Sequence, residues 1–267
     1  MPGFVTYQEI VEAQRRGQTM TYSFFKVAPT IAESGGVWMS LWIGGVAPAS
    51  GVQPGNIPGT TYTNSSTSIT FPDVSPARKY ITKFGAYSDQ NMAVMVYDRL
   101  WGVGNLEMDV THTINGPTVP RYDGAQVQAW MELEDGPATA GGRLLSYTNQ
   151  DGVAGRSGVA MTWPEYSVPW ALSLLGPLPL QAGDTGVRSV QSFAGASSAT
   201  TAQTSLILMR PLLYHVSNVS AGWVERDLVL EGNLLPRVYD GASLAIAVQS
   251  ASTVAATVYG QIEVTWA

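Results

Sequence analysis

Few residues in this chain could do chemistry, and the most suggestive is Asp184 in the tripeptide Asp184-Thr185-Gly186. Aspartic proteases hydrolyse peptides with two aspartates that share a proton, one from each of two lobes or from a symmetric dimer. The sequence holds no second Asp-Thr-Gly or Asp-Ser-Gly, and Gly183 stands where an apolar strand residue is expected. A dimer could supply the partner, but we interpret residues 183–186 as a turn.

The two histidines, His112 and His215, are the candidates for metal ligands, because the chain has no cysteine. A zinc site would need both of them and a carboxylate, brought together from distant strands. Each histidine lies in a segment that reads as a strand. We therefore interpret both as ordinary strand histidines.

Three acidic residues, Glu132, Glu134 and Asp135, approach a predicted hairpin tip at Gly136-Pro137. Carboxylate pairs serve glycoside hydrolysis or calcium binding, but neither function has a second supporting cluster in the sequence. We interpret the group as an acidic, solvated loop. The sequence thus predicts no catalytic residue, no cofactor-binding residue and no metal ligand, and the protein is not expected to be an enzyme.

Composition favours a folded chain that associates with something else. Of the 267 residues, 45% are hydrophobic and only 13% are charged, against about 25% charged in typical soluble domains. A surface with so little charge gives poor protection against association. The net charge is −6 and the densest basic pairs are Arg15-Arg16 and Arg78-Lys79, so direct binding to nucleic acid, which needs a basic face, is not expected.

No targeting or membrane segment is evident in the sequence. Residues 1–14 lack the basic stretch and the apolar run of a signal peptide. The longest apolar stretches, near 38–46 and 170–180, are short and broken by Gly or Pro, so no membrane partner is expected. We expect synthesis and folding in the cytoplasm.

One helix is predicted, at the start of the sequence. Thr6 and Glu9 have the spacing of a capping box, and Gly17 suits the left-handed position that follows a helix. Residues 1–18 are therefore predicted to form a helical arm. Such an arm either packs on a neighbouring molecule or closes one end of its own domain.

The remaining residues, 19–267, are predicted to form a single elaborated β-domain. Short alternating segments separated by Gly and Pro, with almost no helix, are typical of an all-β sandwich or jelly roll. Residues 44–71 form a Gly/Pro-rich loop, and loops of that length are usually functional or mobile. Strands are predicted at 19–27, 37–43, 80–87, 92–100, 107–113, 126–133, 143–148, 159–162, 186–192, 204–211, 223–230, 244–249 and 257–266.

A short block occurs twice, as Pro120-Arg121-Tyr122-Asp123-Gly124-Ala125 and as Pro236-Arg237-Val238-Tyr239-Asp240-Gly241-Ala242. Each copy ends in an Asp-Gly turn and runs into an alternating segment, which predicts a turn followed by a strand. The copies indicate either two related β-modules or one jelly roll in which both blocks cap the same end of facing sheets. We favour the single jelly roll and interpret the repeat as scaffold, because neither copy carries a set of acids, bases or nucleophiles.

Four segments of the sequence serve as family markers. The longest is Leu-Pro-Leu-Gln-Ala-Gly-Asp-Thr-Gly-Val-Arg-Ser-Val-Gln-Ser at 178–192. The others are Tyr-Asp-Arg-Leu-Trp at 97–101, Leu-Ser-Tyr-Thr-Asn-Gln-Asp-Gly at 145–152 and Leu-Leu-Pro-Arg-Val-Tyr-Asp at 234–240. In this order they resemble a family of tailed-bacteriophage virion proteins, and the resemblance covers about residues 80–267. Its motifs consist mostly of turn-forming residues. The resemblance therefore implies a shared scaffold and no catalytic residues.

This resemblance implies a jelly-roll structural component of the virion, made in the cytoplasm of a bacterial host. The leading hypothesis is a head decoration or cement protein on the capsid exterior, a homotrimer that grips the major capsid protein lattice through residues 1–18 or 44–71. The main alternative is a tail, baseplate or fibre protein that binds a host surface polysaccharide through exposed aromatics. The shell subunit itself is disfavoured, because tailed-phage shells generally have a mixed α/β fold. An enzyme, chiefly a depolymerase, ranks last.

Overall fold

The computed structural model describes residues 4, 6–28, 36–135, 141–163, 171–172, 176–195, 202–217, 221–232, 234–250 and 256–267. They form helix α1 (Tyr7–Arg15), a short 3₁₀ helix (Tyr122–Gly124) and strands in antiparallel sheets, so the prediction of an all-β sandwich is confirmed. Within these residues, no helix is long and apolar enough to cross a membrane. The strands are β1 (Thr19–Ala28), β2 (Trp38–Ser40), β3 (Gly45–Ala47), β4 (Thr60–Thr61), β5 (Lys79–Ser88), β6 (Met92–Glu107), β7 (Thr111–Thr113), β8 (Gln128–Asp135), β9 (Gly141–Asn149), β10 (Arg156–Ser157), β11 (Met161–Trp163), β12 (Val187–Ala194), β13 (Gln203–Ser217), β14 (Gly222–Asp227), β15 (Arg237–Val238), β16 (Leu244–Ser250) and β17 (Ala256–Trp266).

Eight of these strands form two facing sheets in jelly-roll order. Sheet A has the order β14-β5-β17-β1, and sheet B has the order β2-β16-β6-β13. Counted along the chain, the first of the eight pairs with the last, the second with the seventh, the third with the sixth and the fourth with the fifth. This is a long hairpin folded over on itself, which is the connectivity of a jelly roll.

A third sheet is inserted between β6 and β13. Sheet C has the order β10-β9-β12-β7, with β11 paired to β9, while β8 from the same insertion extends sheet B beside β13. The sequence pattern does not distinguish this sheet, because its strands alternate in the same way as those of the main sandwich.

The main core lies between sheets A and B and is built by alternation along the strands. Val258, Ile262 and Val264 of β17 are fully buried, because every second side chain of a strand faces the same side. Gly260 faces the same side, and a Cβ there would lie only 2.1 Å from the Phe24 ring. The glycine in this strand therefore makes room for an aromatic side chain of β1.

A second core fills the outer face of sheet B. Ala171 and Leu172 join the two edge strands of this sheet, since Leu172 N donates to Trp38 O at 2.7 Å and Leu133 N donates to Ala171 O at 3.0 Å. The second core thus covers most of the outer face of sheet B, while Tyr214 and Val216 near the end of β13 remain 47% and 58% exposed. The buried apolar side chains of the second core are Trp42, Tyr62, Met95, Tyr97, Trp130, Leu172, Ile207, Met209, Ala245 and Ala247.

The Gly/Pro-rich segment at 44–71 is fastened to both sheets. Its strand β3 pairs with β1 of sheet A, and its strand β4 pairs with β6 of sheet B. The Lys26 amine of β1 donates to the Pro48 carbonyl at 3.0 Å, and the Trp42 indole donates to the Val52 carbonyl at 3.0 Å. Burial lowers the pKa of Lys26 to about 8. The segment therefore covers part of the sandwich and contributes Tyr62 to the second core.

Helix α1 begins with the predicted capping box: Thr6 Oγ1 accepts from Glu9 N at 3.3 Å, and Thr6 N donates to the Glu9 carboxylate at 3.2 Å. Its buried side chains are Ile10 and Ala13. The helix packs on β17, where the Gln14 amide donates to Glu263 at 3.2 Å. Of the two alternatives for residues 1–18, the contacts of the described residues match a helix that closes one end of its own domain.

The two copies of the repeated block lie side by side. The rings of Tyr122 and Tyr239 meet edge to face, with centroids 4.6 Å apart. Both copies meet at the buried Asp98 of β6, which accepts hydrogen bonds from Arg121 Nε (2.8 Å) and Nη2 (2.7 Å), from Tyr122 OH (3.2 Å) and from Ser243 N (3.0 Å). Burial raises the pKa of the Asp98 carboxyl, and these hydrogen bonds oppose the rise. This is the arrangement expected when both blocks cap one end of a single jelly roll.

The Arg121–Asp98 pair gives a test of this arrangement. Arg121→Met should lower the free energy of unfolding by about 3–5 kcal/mol at pH 7, because it leaves a buried carboxylate without its counter-charge. The loss should shrink as the pH falls towards 4, since protonation then neutralises the stranded carboxyl. Urea unfolding at several pH values measures both effects. Arg15→Met, which removes a 72% exposed arginine, is the control and should cost less than about 1 kcal/mol; equal losses in the two variants would contradict the role assigned to Asp98.

Candidate functional site

The aspartate of the Asp-Thr-Gly tripeptide is engaged in structural contacts. Asp184 accepts hydrogen bonds from Tyr147 OH (2.6 Å), Asn149 Nδ2 (2.8 Å) and Arg156 Nε (2.9 Å). The Arg156 guanidinium and these other donors lower the pKa of Asp184 to about 2. The carboxylate therefore ties the segment before β12 to β9 and β10. The turn itself spans residues 181–184, two positions before the predicted 183–186, since Asp184 N donates to Gln181 O at 3.0 Å.

The two histidines are not brought together. His112 lies on β7 of sheet C, where its Nε2 is 2.9 Å from the Glu107 carbonyl. His215 lies on β13 of sheet B and is buried against the Phe84 ring at 5.2 Å. Burial, with the nearby Arg226 charge, lowers the pKa of His215. Across the described residues, no group of three or more His, Asp and Glu side chains is placed to hold a metal ion.

The interpretation of the acidic cluster as a solvated loop is wrong for Glu132. This side chain is fully buried in an ion pair with Arg99, with Arg99 Nη2 at 2.9 Å from Glu132 Oε2. Glu134 accepts from Asn105 N at 3.1 Å and from the Ser205 hydroxyl, and burial raises the pKa of its carboxyl. The predicted tip at Gly136-Pro137 lies outside the described residues. Glu132 is buried because it faces the second core, where Arg99 supplies the counter-charge.

The most distinctive surface of the described chain is a line of four aromatic side chains on the outer face of sheet A. Phe25 is paired with Tyr259, Tyr259 with Tyr87, and Tyr87 with Trp223, across β1, β17, β5 and β14. Tyr259 and Trp223 are each 47% exposed. We call these four residues the aromatic row.

Packing within the sheet holds these rings in place. Phe25 and Tyr259 stack at a centroid distance of 4.4 Å and an interplanar angle of 23°, and Tyr87 meets Tyr259 edge to face at 5.9 Å. The Trp223 indole lies over the bare backbone of Gly85, where a Cβ would come within 2.3 Å of the ring. Gly85 thus lets the indole lie close to the sheet while almost half of the residue remains open to solvent.

The surroundings of the aromatic row suit a binding surface with an apolar centre and a polar border. A second row lies on the same face, two residues along each strand. In it Ser23 pairs with Gln261, Gln261 with Gly85, and Gly85 with Glu225. Ser23, Gln261 and Glu225 are exposed. A rigid aromatic platform with hydrogen-bonding groups beside it can hold either the apolar part of a protein partner or the flat face of a sugar ring.

Comparisons with known proteins show no family for this chain. No protein-family model matches the chain, and no curated protein matches it in sequence. A solved structure of infectious bursal disease virus, strain Gx, is similar at 8% identity and a TM-score of 0.19, with 92% of this chain and 80% of that chain covered. T=1 particles derived from the same virus give 10% identity and a TM-score of 0.19, over 92% and 78% of the two chains. Likeness at this level assigns neither fold nor function.

The Asp184 contacts predict an acid-dependent stability term. Its pKa is lowered from the value of about 3.9 in an unfolded chain to about 2, so its contribution is complete above about pH 4 and is lost as the pH falls towards 2. Asp184→Asn should therefore lower the melting temperature at pH 7, and the difference from the wild type should close between pH 4 and 2. Asp151→Asn, on the exposed neighbouring turn, is the matched control. A difference that persists unchanged at pH 2 would show that the ion pair is not its cause.

Proposed function

We propose that this protein is a structural component of a tailed-phage virion, and specifically a decoration or cement protein on the exterior of the assembled head. The observation that carries the proposal is the aromatic row, which lies on the exposed outer face of sheet A, whereas the second core covers most of the outer face of sheet B. Jelly rolls recur in viral capsid domains. Rigid Tyr and Trp side chains are also the kind that dominate the binding energy of protein interfaces. The sequence resemblance to tailed-phage virion proteins points the same way.

A decoration protein acts by binding alone. If it binds the assembled lattice and not the free shell subunits, each bound copy stabilises the shell by RT ln(1 + [L]/Kd). In this proposal the partner is the major capsid protein lattice, and the decoration protein is a homotrimer that presents three aromatic rows to it. Light scattering of the purified protein tests the trimer separately from the shell contact.

The contacts of two segments favour the aromatic row as the shell-binding surface. Helix α1 packs on β17, and segment 44–71 is paired with both sheets. The sequence predicts that one of these two segments contacts the capsid lattice. In the structure, both segments pack on their own domain. Removing residues 1–18 would expose the end of β17, on which helix α1 packs. A truncated protein that fails to bind the shell could therefore have lost either a shell contact or part of its own fold.

A second candidate function is the binding of a host surface polysaccharide by a tail, baseplate or fibre protein. Jelly rolls also occur in lectin domains, and the aromatic row with Ser23, Gln261 and Glu225 beside it is the observation that favours this candidate. Glycan-array binding supports it, and release of reducing sugar would instead indicate a depolymerase. Neither result is expected of a cement protein.

Copy number tests the proposal most directly. Densitometry of purified virions should show this protein in a ratio near one to one with the major shell protein, or in a simple lattice fraction of it. Heads that lack the protein should open at a lower temperature and regain their stability when it is added back. A handful of copies per particle would contradict the head assignment and favour the tail candidate.

The aromatic row gives a residue-level prediction. Trp223→Ala and Tyr259→Ala should each weaken co-sedimentation with undecorated heads by roughly 30-fold, the size expected of an interface hot spot of at least 2 kcal/mol. Their melting temperatures should fall only modestly, because each variant loses cross-strand contacts of a residue that is already about half exposed. Tyr7→Ala, which removes a 61% exposed tyrosine from α1, is the control and should bind normally. Full binding by both row variants would remove the row from the shell contact.

A further inference from the structure

A cleft of about 470 Å³ opens where the two copies of the repeated block meet. Its walls come from the first copy, from the second copy and from the residues that lead into β5. Four cationic side chains line it, although the chain has only 14 Lys and Arg residues and a net charge of −6. They are Arg78, Lys79, Arg121 and Arg237.

Two of these cations are already neutralised. Lys79 Nζ lies 2.9 Å from Asp240 Oδ1, and Arg121 Nη2 lies 2.7 Å from Asp98 Oδ1. Within the described residues, the guanidinium groups of Arg78 and Arg237 have no carboxylate within 4.0 Å, and the buried Arg237 Nε has no hydrogen-bond partner. The cleft therefore keeps two positive charges that its own acidic residues do not balance.

An aromatic ring holds the guanidinium of Arg237, and hydrogen bonds to Ala267 hold the backbone of Arg78. The Arg237 guanidinium lies 3.9 Å from the centroid of the Tyr239 ring, which in turn packs against Tyr122. The backbone of Arg78 is paired with Ala267 through hydrogen bonds of 2.9 and 3.3 Å. Stacking on an aromatic face fixes the plane of a guanidinium and leaves its edge free to donate two parallel hydrogen bonds.

The one carboxylate that lines the cleft does not oppose an anion strongly. Asp240 accepts from Val74 N at 3.1 Å, from Ser75 N at 3.0 Å and from the Lys79 amine. These donors use its oxygens and offset its charge. The rest of the lining includes apolar side chains, Pro76, Pro120, Val238 and Tyr239 among them.

We propose that this cleft binds an acidic peptide segment of a partner protein, with Asp or Glu carboxylates on Arg78 and Arg237. Planar guanidinium groups pair with carboxylates through two hydrogen bonds at once. The volume lies within the range of about 300–1,000 Å³ for ligand pockets, which leaves room for more than one side chain, and the apolar wall suits the aliphatic parts of a peptide. The inference goes beyond the proposed function and holds whether the partner belongs to a head or to a tail.

The test uses the full-length protein and a fluorescent hexapeptide of alternating Asp and Glu, with the Asn/Gln hexapeptide as the matched uncharged probe. Fluorescence anisotropy at low ionic strength should show saturable binding of the acidic probe, which weakens as salt is added. Arg78→Met and Arg237→Met should each raise its Kd at least roughly tenfold, as expected when a charge-assisted hydrogen bond is lost. Lys83→Met, which removes one positive charge on the outer face of sheet A, should leave the Kd within about twofold.

Three outcomes would overturn the proposal. Absence of binding by the acidic probe would show that the cleft is not a peptide site. Equal binding of the uncharged probe would show that carboxylates are not what the cleft recognises. Tripolyphosphate that binds more tightly than the acidic probe, and loses affinity in the same two arginine variants, would make the cleft a phosphate site instead. Thermal melts of each variant confirm that the fold is intact, and neither the copy number nor the location of the protein in the virion enters any of these measurements.

Discussion

One buried carboxylate holds the end of this jelly roll together. Asp98 of β6 takes hydrogen bonds from Arg121 and Tyr122, in the first copy of the repeated block, and from the amide of Ser243, which follows the second copy. A buried ionised carboxylate costs several kcal/mol unless donors replace the water it has lost. Both copies must therefore lie against β6 at the same time, because removing either one leaves part of the charge unsatisfied. The same convergence builds the walls of the cationic cleft.

The neighbouring residue on β6, Arg99, connects the parts of the chain that build the second core. Consecutive strand residues face opposite sides, so Arg99 enters the second core, where its guanidinium lies 5.1 Å from the Trp42 ring and 4.9 Å from the Tyr62 ring. Its partner Glu132 comes from the inserted β8. The pair thus links segment 44–71 and the insertion to sheet B, whose outer face is mostly covered by the second core. Sheet A keeps the larger aromatic surface open to a partner, with Tyr259 and Trp223 each 47% exposed.

What could be predicted from the sequence was local. The capping box of Thr6 and Glu9 and the turn at Asp184 depend on residues a few positions apart, and both are present as expected. The burial of Glu132 could not be predicted, because its partner Arg99 is 33 positions away and reaches it only through the folding of two strands into one core. The aromatic row depends on the register of four strands, and a shift of one residue in any of them would move its ring to the other face. The sequence does show the cations of the cleft, as the arginine of each repeated block and as Arg78-Lys79. Their meeting in one cleft could not be predicted, because it depends on contacts between distant parts of the chain.

Strand β5 connects the two proposed binding surfaces. Lys79, at its start, lines the cleft, and Tyr87, eight positions later, belongs to the aromatic row. At the rise of an antiparallel strand these residues are about 27 Å apart. A single small ligand could not reach both surfaces, so the two proposals together imply two partners or two parts of one large assembly. In a lattice the second case has a physical advantage, because a second contact on the same assembly forms at a high effective concentration. Two modest contacts, one apolar and one electrostatic, can then hold a weakly charged protein firmly on an assembled surface while leaving it unbound to isolated subunits.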